Sequence, residues 1–368
     1  MLRIVGADGT EPARRTAKGT LVALRPQPPG TPWPTDRWPQ GDTGGVPLGH
    51  LLDEVFDDGG PLGRTYAVVL VHHGRLVAER YGGRLEHFDR PAETIGPDTP
   101  LLSWSMAKSM LQAAVGILVG EGRMSLDQPA TVPEWSEPGD PRAAITVDHL
   151  LAMRDGLRFV EDYVDERVSD VIEMLFGRGQ DDVAHYAADR PLATAPGDAF
   201  NYSSGTSNVL SGVVAGLVGR GDAYAGWLHD RLFAPIGATT ARATTDPAGT
   251  WVASSYVYAT AQDFARFGLL YLRDGIWDGR RILPGGWVDE ARRPRSVDPE
   301  DGALYGSHWW VVGDEHGSFE CRGYRGQRIT VCPALDLVAV RLGKTPYERE
   351  DNLDPWRVAV VQAFADAG

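Results

Sequence analysis

Ser105 and Lys108 stand three residues apart in the stretch "SWSMAKSMLQAAVGIL". On a helix, residues i and i+3 share a face, so the two side chains can meet. A serine hydroxyl is a weak nucleophile until a base takes its proton. Lysine becomes such a base when burial lowers its pKa, whereas arginine stays charged. The choice stands out here, because of 36 lysines and arginines only Lys18, Lys108 and Lys344 are lysine. Fifteen serines and three lysines give about 0.12 chance Ser-x-x-Lys matches per chain. Alone, the motif leaves two readings open. One is a nucleophile with its base; the other is a helix-start serine beside a lysine that snorkels from an apolar face.

A Ser–Lys pair also needs a group that passes the proton to the leaving atom, and donors for the developing oxyanion. Tyr202 in "FNYSSGTSN" is of the right type and follows a Pro-Gly turn. A lone tyrosine is more often a half-buried packing residue. In "GYRGQRI", Gly326 lets a backbone approach a substrate closely. The backbone N–H groups of Ser105 and Gln327 are the candidate oxyanion pair.

These residues need elements to hold them. Residues 1–60 are rich in Pro and Gly and read as an irregular arm with a short helix near "LGHLLDEVF". Two β-rich runs, about Tyr66–Val71 and Leu76–Tyr81, flank "HHGR" as a hairpin. From Met106 the period becomes helical, with Met106, Met110, Ala113 and Ile117 on one face and Gly120 or Gly122 at the end. "TVDHLLAMRDGL" reads as a helix capped by Thr146 and stopped by Gly156. Further helices follow at "VSDVIEMLF", "DDVAHYAAD", the segment after Tyr202, "YAGWLHDRLFAPIG" and "TAQDFARFGLLYLRDG". "SHWWVVGD", "SFECRGYRGQRITVCP" and "LDLVAVRLGK" read as three consecutive antiparallel strands, and "PWRVAVVQAFADA" as a closing helix. The expected fold is α/β (α+β): an antiparallel sheet built from both chain ends, flanked by helices, with a large all-α insertion. The arm is 1–60, the sheet domain 61–100 with 250–368, and the helical domain 101–249. Ser105, Lys108 and Tyr202 would then meet at the domain interface.

A net charge of −14 argues against nucleic acid or an anionic membrane surface as partner. No stretch is apolar for long enough to span a bilayer, and the N-terminus lacks a signal-peptide core. A cytoplasmic location is expected. Cys321 and Cys332 belong to no metal pattern, and the nine histidines form no HExxH. His72 and His73 read as an exposed pair in a turn. Neither a metal nor a cofactor is indicated.

With these motifs in order, the chain resembles the serine β-lactamase and penicillin-recognising superfamily, in its class C-like branch. Three elements carry the likeness: Ser105-Met-Ala-Lys108, Tyr202-Ser-Ser204 and Tyr324-Arg-Gly326. "ITVDHLLAMRDGL", "PGDAFNYSS" and "ATAQDFARFGLLYLRDG" support it, and together they span about Tyr66 to Leu342. Within the superfamily the chain is most similar to 6-aminohexanoate-dimer hydrolases and related carboxylesterases. "VEDYVDERVSDV" resembles their "NEDYVDP" segment, and "SHWWVVGDEHG" their double-Trp strand. The second motif lacks the asparagine of β-lactamases, and the third has Tyr324 where they have Lys. "GKTP" at Gly343–Pro346 is not the third motif, since Pro346 replaces its Gly and it follows the last strand.

The resemblance implies Ser105 as nucleophile, Lys108 as its base and Tyr202 as acid/base for the leaving group. It implies Ser105 and Gln327 as backbone oxyanion donors, and substrate contacts from Tyr163, Tyr324 and Gly326. Trp104, Trp309 and Trp310 are candidate pocket walls, with core packing the competing account. Glu161, Asp162, Asp165 and Glu166 read as a solvated loop, or as a rim for substrates with a cationic end. Arg325 and Arg328 read as exposed strand arginines, or as partners of a substrate carboxylate. The favoured function is a serine hydrolase for esters and linear amides, its partner a small-molecule ester or amide, with a homodimer left open. A β-lactamase or D-alanyl-D-alanine peptidase is the second reading, and a non-catalytic ligand-binding relative the third.

Overall fold

The computed structural model describes residues 21–86, 91–165 and 167–367. Glu166 and the first twenty residues of the expected arm lie outside the described residues. One sheet dominates, with its strands numbered along the chain. These are β1 (Arg64–His72), β2 (Arg75–Tyr81), β3 (Ser296–Val297), β4 (Leu304–Tyr305), β5 (Trp310–Val311), β6 (Phe319–Gly323), β7 (Gln327–Cys332) and β8 (Leu337–Lys344). The spatial order is β3-β4-β5-β6-β7-β8-β1-β2, antiparallel throughout. The expected sheet built from both chain ends is present.

β1 shows why the sheet is central. Its sequence, RTYAVVLVH, is almost continuously apolar, the pattern of a strand covered on both faces. Ala67, Val69 and Val71 enter the larger core, while Val68 and Leu70 enter a second one. The helices are α1 (Gly49–Val55), α2 (Met106–Gly120), α3 (Val147–Leu151), α4 (Asp170–Phe176), α5 (Val183–Ala188), α6 (Ser204–Val218), α7 (Asp222–Leu228), α8 (Ala261–Leu272), α9 (Trp287–Arg292) and α10 (Leu353–Ala367). α8 packs on the first face of the sheet, and α1 and α10 on the second. Thr146, Ser169, Asp182, Ser203 and Thr260 each accept a backbone N–H at a helix start, satisfying donors the helix leaves open.

Two expectations are corrected. The helix after Thr146 ends at Leu151 rather than at Gly156. Met153 adopts φ +55°, and the Arg154 N–H turns back to the His149 carbonyl at 2.8 Å. The run "SFECRGYRGQRITVCP" is two strands, β6 and β7, joined by a tight turn at Tyr324–Gly326. Gly326 N–H donates to the Gly323 carbonyl at 3.1 Å, and Gly323 pairs with Gln327.

α2 is buried from Met106 to Leu118, Lys108 included. Cys321 and Cys332 are free, buried thiols. Among the described residues, no helix is long and apolar enough to cross a membrane.

Candidate active site

Ser105 is delivered by a short, pinned connection. The Ser103 N–H donates to the Val257 carbonyl at 2.8 Å, and the Ser103 hydroxyl to the Ser255 carbonyl at 3.1 Å. Trp104 then adopts φ +46°, a conformation that costs a non-glycine residue about 1–3 kcal/mol and persists only where its surroundings fix it. That turn sets Ser105 at the start of α2. The Lys108 ammonium donates to Ser105 Oγ at 2.9 Å, to Ser204 Oγ at 3.0 Å and to the Ser254 carbonyl at 3.1 Å. Ser254 is held by Asn208 on α6, through Ser254 N–H to Asn208 Oδ1 at 3.2 Å. Burial pushes the Lys108 ammonium down to about 8, and the Glu161 carboxylate pulls in the opposite direction.

Tyr202 immediately precedes the Ser203 cap of α6, and its ring centroid lies 4.9 Å from Lys108 Nζ. Trp310 and Tyr305 back that ring at 5.3 and 6.0 Å. Burial, then the Glu161 charge, raise the phenol's pKa; its hydrogen bond with Ser105 and the charge of Arg322 draw it back. The structure thus brings Ser105, Lys108 and Tyr202 together.

The acidic stretch divides. Glu161 turns inward: it accepts the Ser204 N–H at 2.8 Å, the Ser204 hydroxyl at 2.6 Å and the Tyr163 hydroxyl at 2.5 Å. Asp162 instead caps its own turn by accepting the N–H groups of Val164 and Asp165, and Asp165 pairs with Arg167. Glu161 and Ser204 are the functional candidates that residue type did not single out. The available signal was Ser204's place two residues after Tyr202. Tyr163 reaches the site as expected, where it stacks on Tyr324 at 4.8 Å and 19°. Trp104 meets Tyr324 edge-on at 5.4 Å. The three rings form one aromatic cluster, and Ser105 is 8% exposed.

The hairpin changes which backbone N–H is the candidate oxyanion donor. β5 pairs with β6 only at Phe319 and Glu320, so the edge of β6 from Cys321 onward is open. The Gly323 carbonyl points into the hairpin, toward the Gly326 N–H. In a trans peptide the next N–H points the opposite way, and among the described residues no peptide is cis. The Tyr324 N–H therefore faces outward at the open edge. Gly323 borders the Ser105 connection so closely that an added Cβ would stand 2.4 Å from the Ser103 carbonyl. Gln327 does not meet the expectation placed on it. It lies on β7 between two paired strands, with its side chain bound to Gly343. Gly326 is likewise a turn residue, φ +81°, backed by Leu353 and Arg341 rather than facing Ser105. From behind, Arg341 donates to the Arg325 and Gly326 carbonyls, and Glu350 accepts the Arg325 N–H.

Trp309 is a core residue, 0% exposed among Phe267, Tyr271 and Phe319. Its neighbour Trp310 is the one beside Tyr202. Arg328 is committed to Glu320 and Asp354, and Arg325 lies 5.3 Å from the Tyr324 ring. Neither is a bare strand arginine. Among the described residues, no group of His, Cys, Asp or Glu is placed to hold a metal ion.

Fold and site together put this protein in the β-lactamase-like class of hydrolases. A family model described as Beta-lactamase matches residues 62–363, and the chain belongs to that family. It is 31% identical over 268 residues to the 6-aminohexanoate-dimer hydrolase of Paenarthrobacter ureafaciens, covering 68% of this chain and 67% of that one. A Bacillus anthracis structure provisionally named a 6-aminohexanoate-dimer hydrolase superposes with a TM-score of 0.74 at 21% identity, covering 94% of this chain and 92% of that one. A D-amino acid amidase from Ochrobactrum anthropi SV3 gives 0.65 at 18% identity, covering 87% and 99%. At these identities the two structures establish the fold alone.

Proposed function

We propose that the protein is a serine hydrolase that forms an acyl-enzyme at Ser105, acting on carboxylic esters and on linear amides of the 6-aminohexanoate-dimer kind. The carrying observation is the 2.9 Å approach of Lys108 Nζ to Ser105 Oγ, in a buried site where Nζ touches only neutral oxygens. Such surroundings favour the neutral amine, which a general base must be. Lys108 takes the hydroxyl proton as Ser105 Oγ bonds to the substrate carbonyl carbon. The N–H groups of Ser105 and Tyr324 receive the oxyanion. Tyr202 gives its proton to the leaving alcohol or amine as its bond to carbon breaks and takes back the one Lys108 received, which restores the free amine. Water then hydrolyses the acyl-enzyme with the same base. Tyr163, stacked on Tyr324, covers the leaving-group side. In this reading the small molecule is hydrolysed in the cytoplasm, a compartment that suits two buried free thiols.

The test offers the protein a p-nitrophenyl acyl ester, a linear aminohexanoate dimer and a chromogenic cephalosporin, measuring turnover and adduct mass. Turnover of ester or dimer, with an acyl mass on the peptide holding Ser105, is the expected result. No turnover of any substrate and no adduct would remove the enzyme reading. A cephalosporin rate well above the ester rate would replace it with a β-lactamase.

A further inference from the structure

Lys108 can take the Ser105 proton only if its lone pair faces Ser105. A neutral amine carries two hydrogens and one lone pair, and three oxygens surround Nζ. The Ser254 carbonyl can only accept, so it takes one N–H. The Ser204 hydroxyl is ambiguous, because it can accept from Nζ or donate to it. If it donated, its hydrogen would occupy the lone pair, and Lys108 would be left donating to Ser105.

Glu161 removes the ambiguity. A carboxylate only accepts, and Glu161 grips Ser204 at two points, the N–H at 2.8 Å and the hydroxyl at 2.6 Å. The single hydroxyl hydrogen of Ser204 is thereby committed to Glu161 Oε1. Its oxygen has only a lone pair to offer Lys108, so the second amine hydrogen goes there. The one remaining direction at Nζ is toward Ser105.

We propose that Glu161 is a positioning residue for the hydrolysis: it fixes the Ser204 hydroxyl as an acceptor and so aims the Lys108 lone pair at Ser105. This rests on the serine-hydrolase reading above. Tyr163 adds to the lock by donating its hydroxyl to the same carboxylate oxygen at 2.5 Å. The other groups facing this cluster are the Tyr202 ring, the buried Tyr305 beside it, and His308. His308 is buried on Ser207 and the Leu151 carbonyl, and burial lowers its pKa to about 3. Arg322 acts on the cluster through Tyr202.

Glu161→Gln tests the lock, because an amide has one acceptor where the carboxylate has two. The Ser204 N–H can only donate and claims the amide oxygen. The amide NH2 then faces Ser204 Oγ and turns that hydroxyl's hydrogen toward Lys108. The experiment measures pH profiles of p-nitrophenyl ester hydrolysis for the full chain and its variants. In Glu161→Gln, kcat falls about 10- to 100-fold with KM within about twofold, and the acid limb of kcat/KM moves to lower pH. The limb moves because an anion that favours the protonated amine is gone. Glu161→Asp keeps the charge but withdraws the oxygens, so the rate falls and the limb stays. Adding Ser204→Ala to Glu161→Gln removes the misdirected hydrogen and restores part of the rate.

Wild-type kcat in both Glu161 variants would overturn the proposal. Losses from Ser204→Ala and Glu161→Gln that multiply in the double variant would overturn it as well. If Glu161→Gln does not fold, Glu161→Asp alone decides, with a wild-type rate counting against the lock. A wild-type protein that neither turns over nor acquires an adduct at Ser105 would sink the hydrolase reading, and this proposal with it.

Discussion

Lys108 is buried in a helix whose neighbours offer its ammonium neutral oxygens, and burial pushes its pKa down to about 8. For a general base, kcat/KM rises tenfold per pH unit below that value and levels off above it. The phenol of Tyr202, raised by burial, leaves the plateau broad on the alkaline side. A rate profile with no rise between about pH 6 and pH 8 would contradict this assignment. Lys108→Arg keeps the positive charge but cannot release the proton, so kcat should fall at least a thousandfold. The larger side chain should cost about 1–3 kcal/mol of overpacking, which a melting curve would register separately from the lost rate. The meeting of Ser105, Lys108 and Tyr202 was legible in the sequence because the proposed chemistry restricts residue type. Glu161 was not, because acidic loops are usually solvated and its inward turn depends on hydrogen bonds to the start of α6.

At the scale of elements, the hairpin of β6 and β7 decides which N–H is proposed as the oxyanion donor. Composition showed a β-rich run from Ser318 to Pro333 but not its reversal, since Tyr324 and Arg325 are not turn formers. The signal lay in the glycines that bracket them. Arg325 and Gly326 adopt φ +63° and +81°, and their carbonyls are held by Arg341. Reading the turn as strand put the donor at Gln327, on a strand paired along both edges. A strand–turn–strand segment reverses which peptide faces the open edge, and the proposed donor becomes Tyr324. Gly323→Ala tests this placement. Its methyl group would stand 2.4 Å from the Ser103 carbonyl, a backbone atom that cannot rotate away, so β6 must retreat from Ser105. Losing one oxyanion donor typically costs 10²–10³ in kcat, and a loss of about that size is expected, with an acyl-enzyme that forms slowly. Near-wild-type kcat would show that the open edge of β6 does not serve the reaction.

Across the whole molecule, the sheet joins chain ends more than two hundred residues apart, and β1 from the N-terminal side lies between β8 and β2. That architecture was legible because β-rich runs toward both chain ends flanked a long helical middle. The short strands β3 and β4 and helix α9 were not, being too brief to show a period. One buried charge cluster ties β6 and β7 to the closing helix. Glu320 on β6 is 0% exposed and pairs with Arg322, Arg328 and Arg357 at 2.8, 3.5 and 3.3 Å, while Arg328 also pairs with Asp354 on α10. Burial alone would raise this carboxyl, but the three guanidinium groups outweigh it and hold its pKa near 2, below the ordinary 4.5. A carboxylate with a lowered folded-state pKa stabilises the fold above the unfolded value, and that stability is lost as pH falls through the folded value. The shift corresponds to about 3 kcal/mol, present near neutrality and lost between about pH 4.5 and pH 2. Glu320→Gln leaves three arginines around a neutral amide and should cost about 3–5 kcal/mol at pH 7. Denaturant unfolding of both proteins at several pH values checks this. The stability gap should narrow toward zero as pH falls from 4.5 to 2, because the wild-type carboxyl then becomes neutral too. A gap that stays constant over that range would mean that the arginines stabilise the fold without the Glu320 charge.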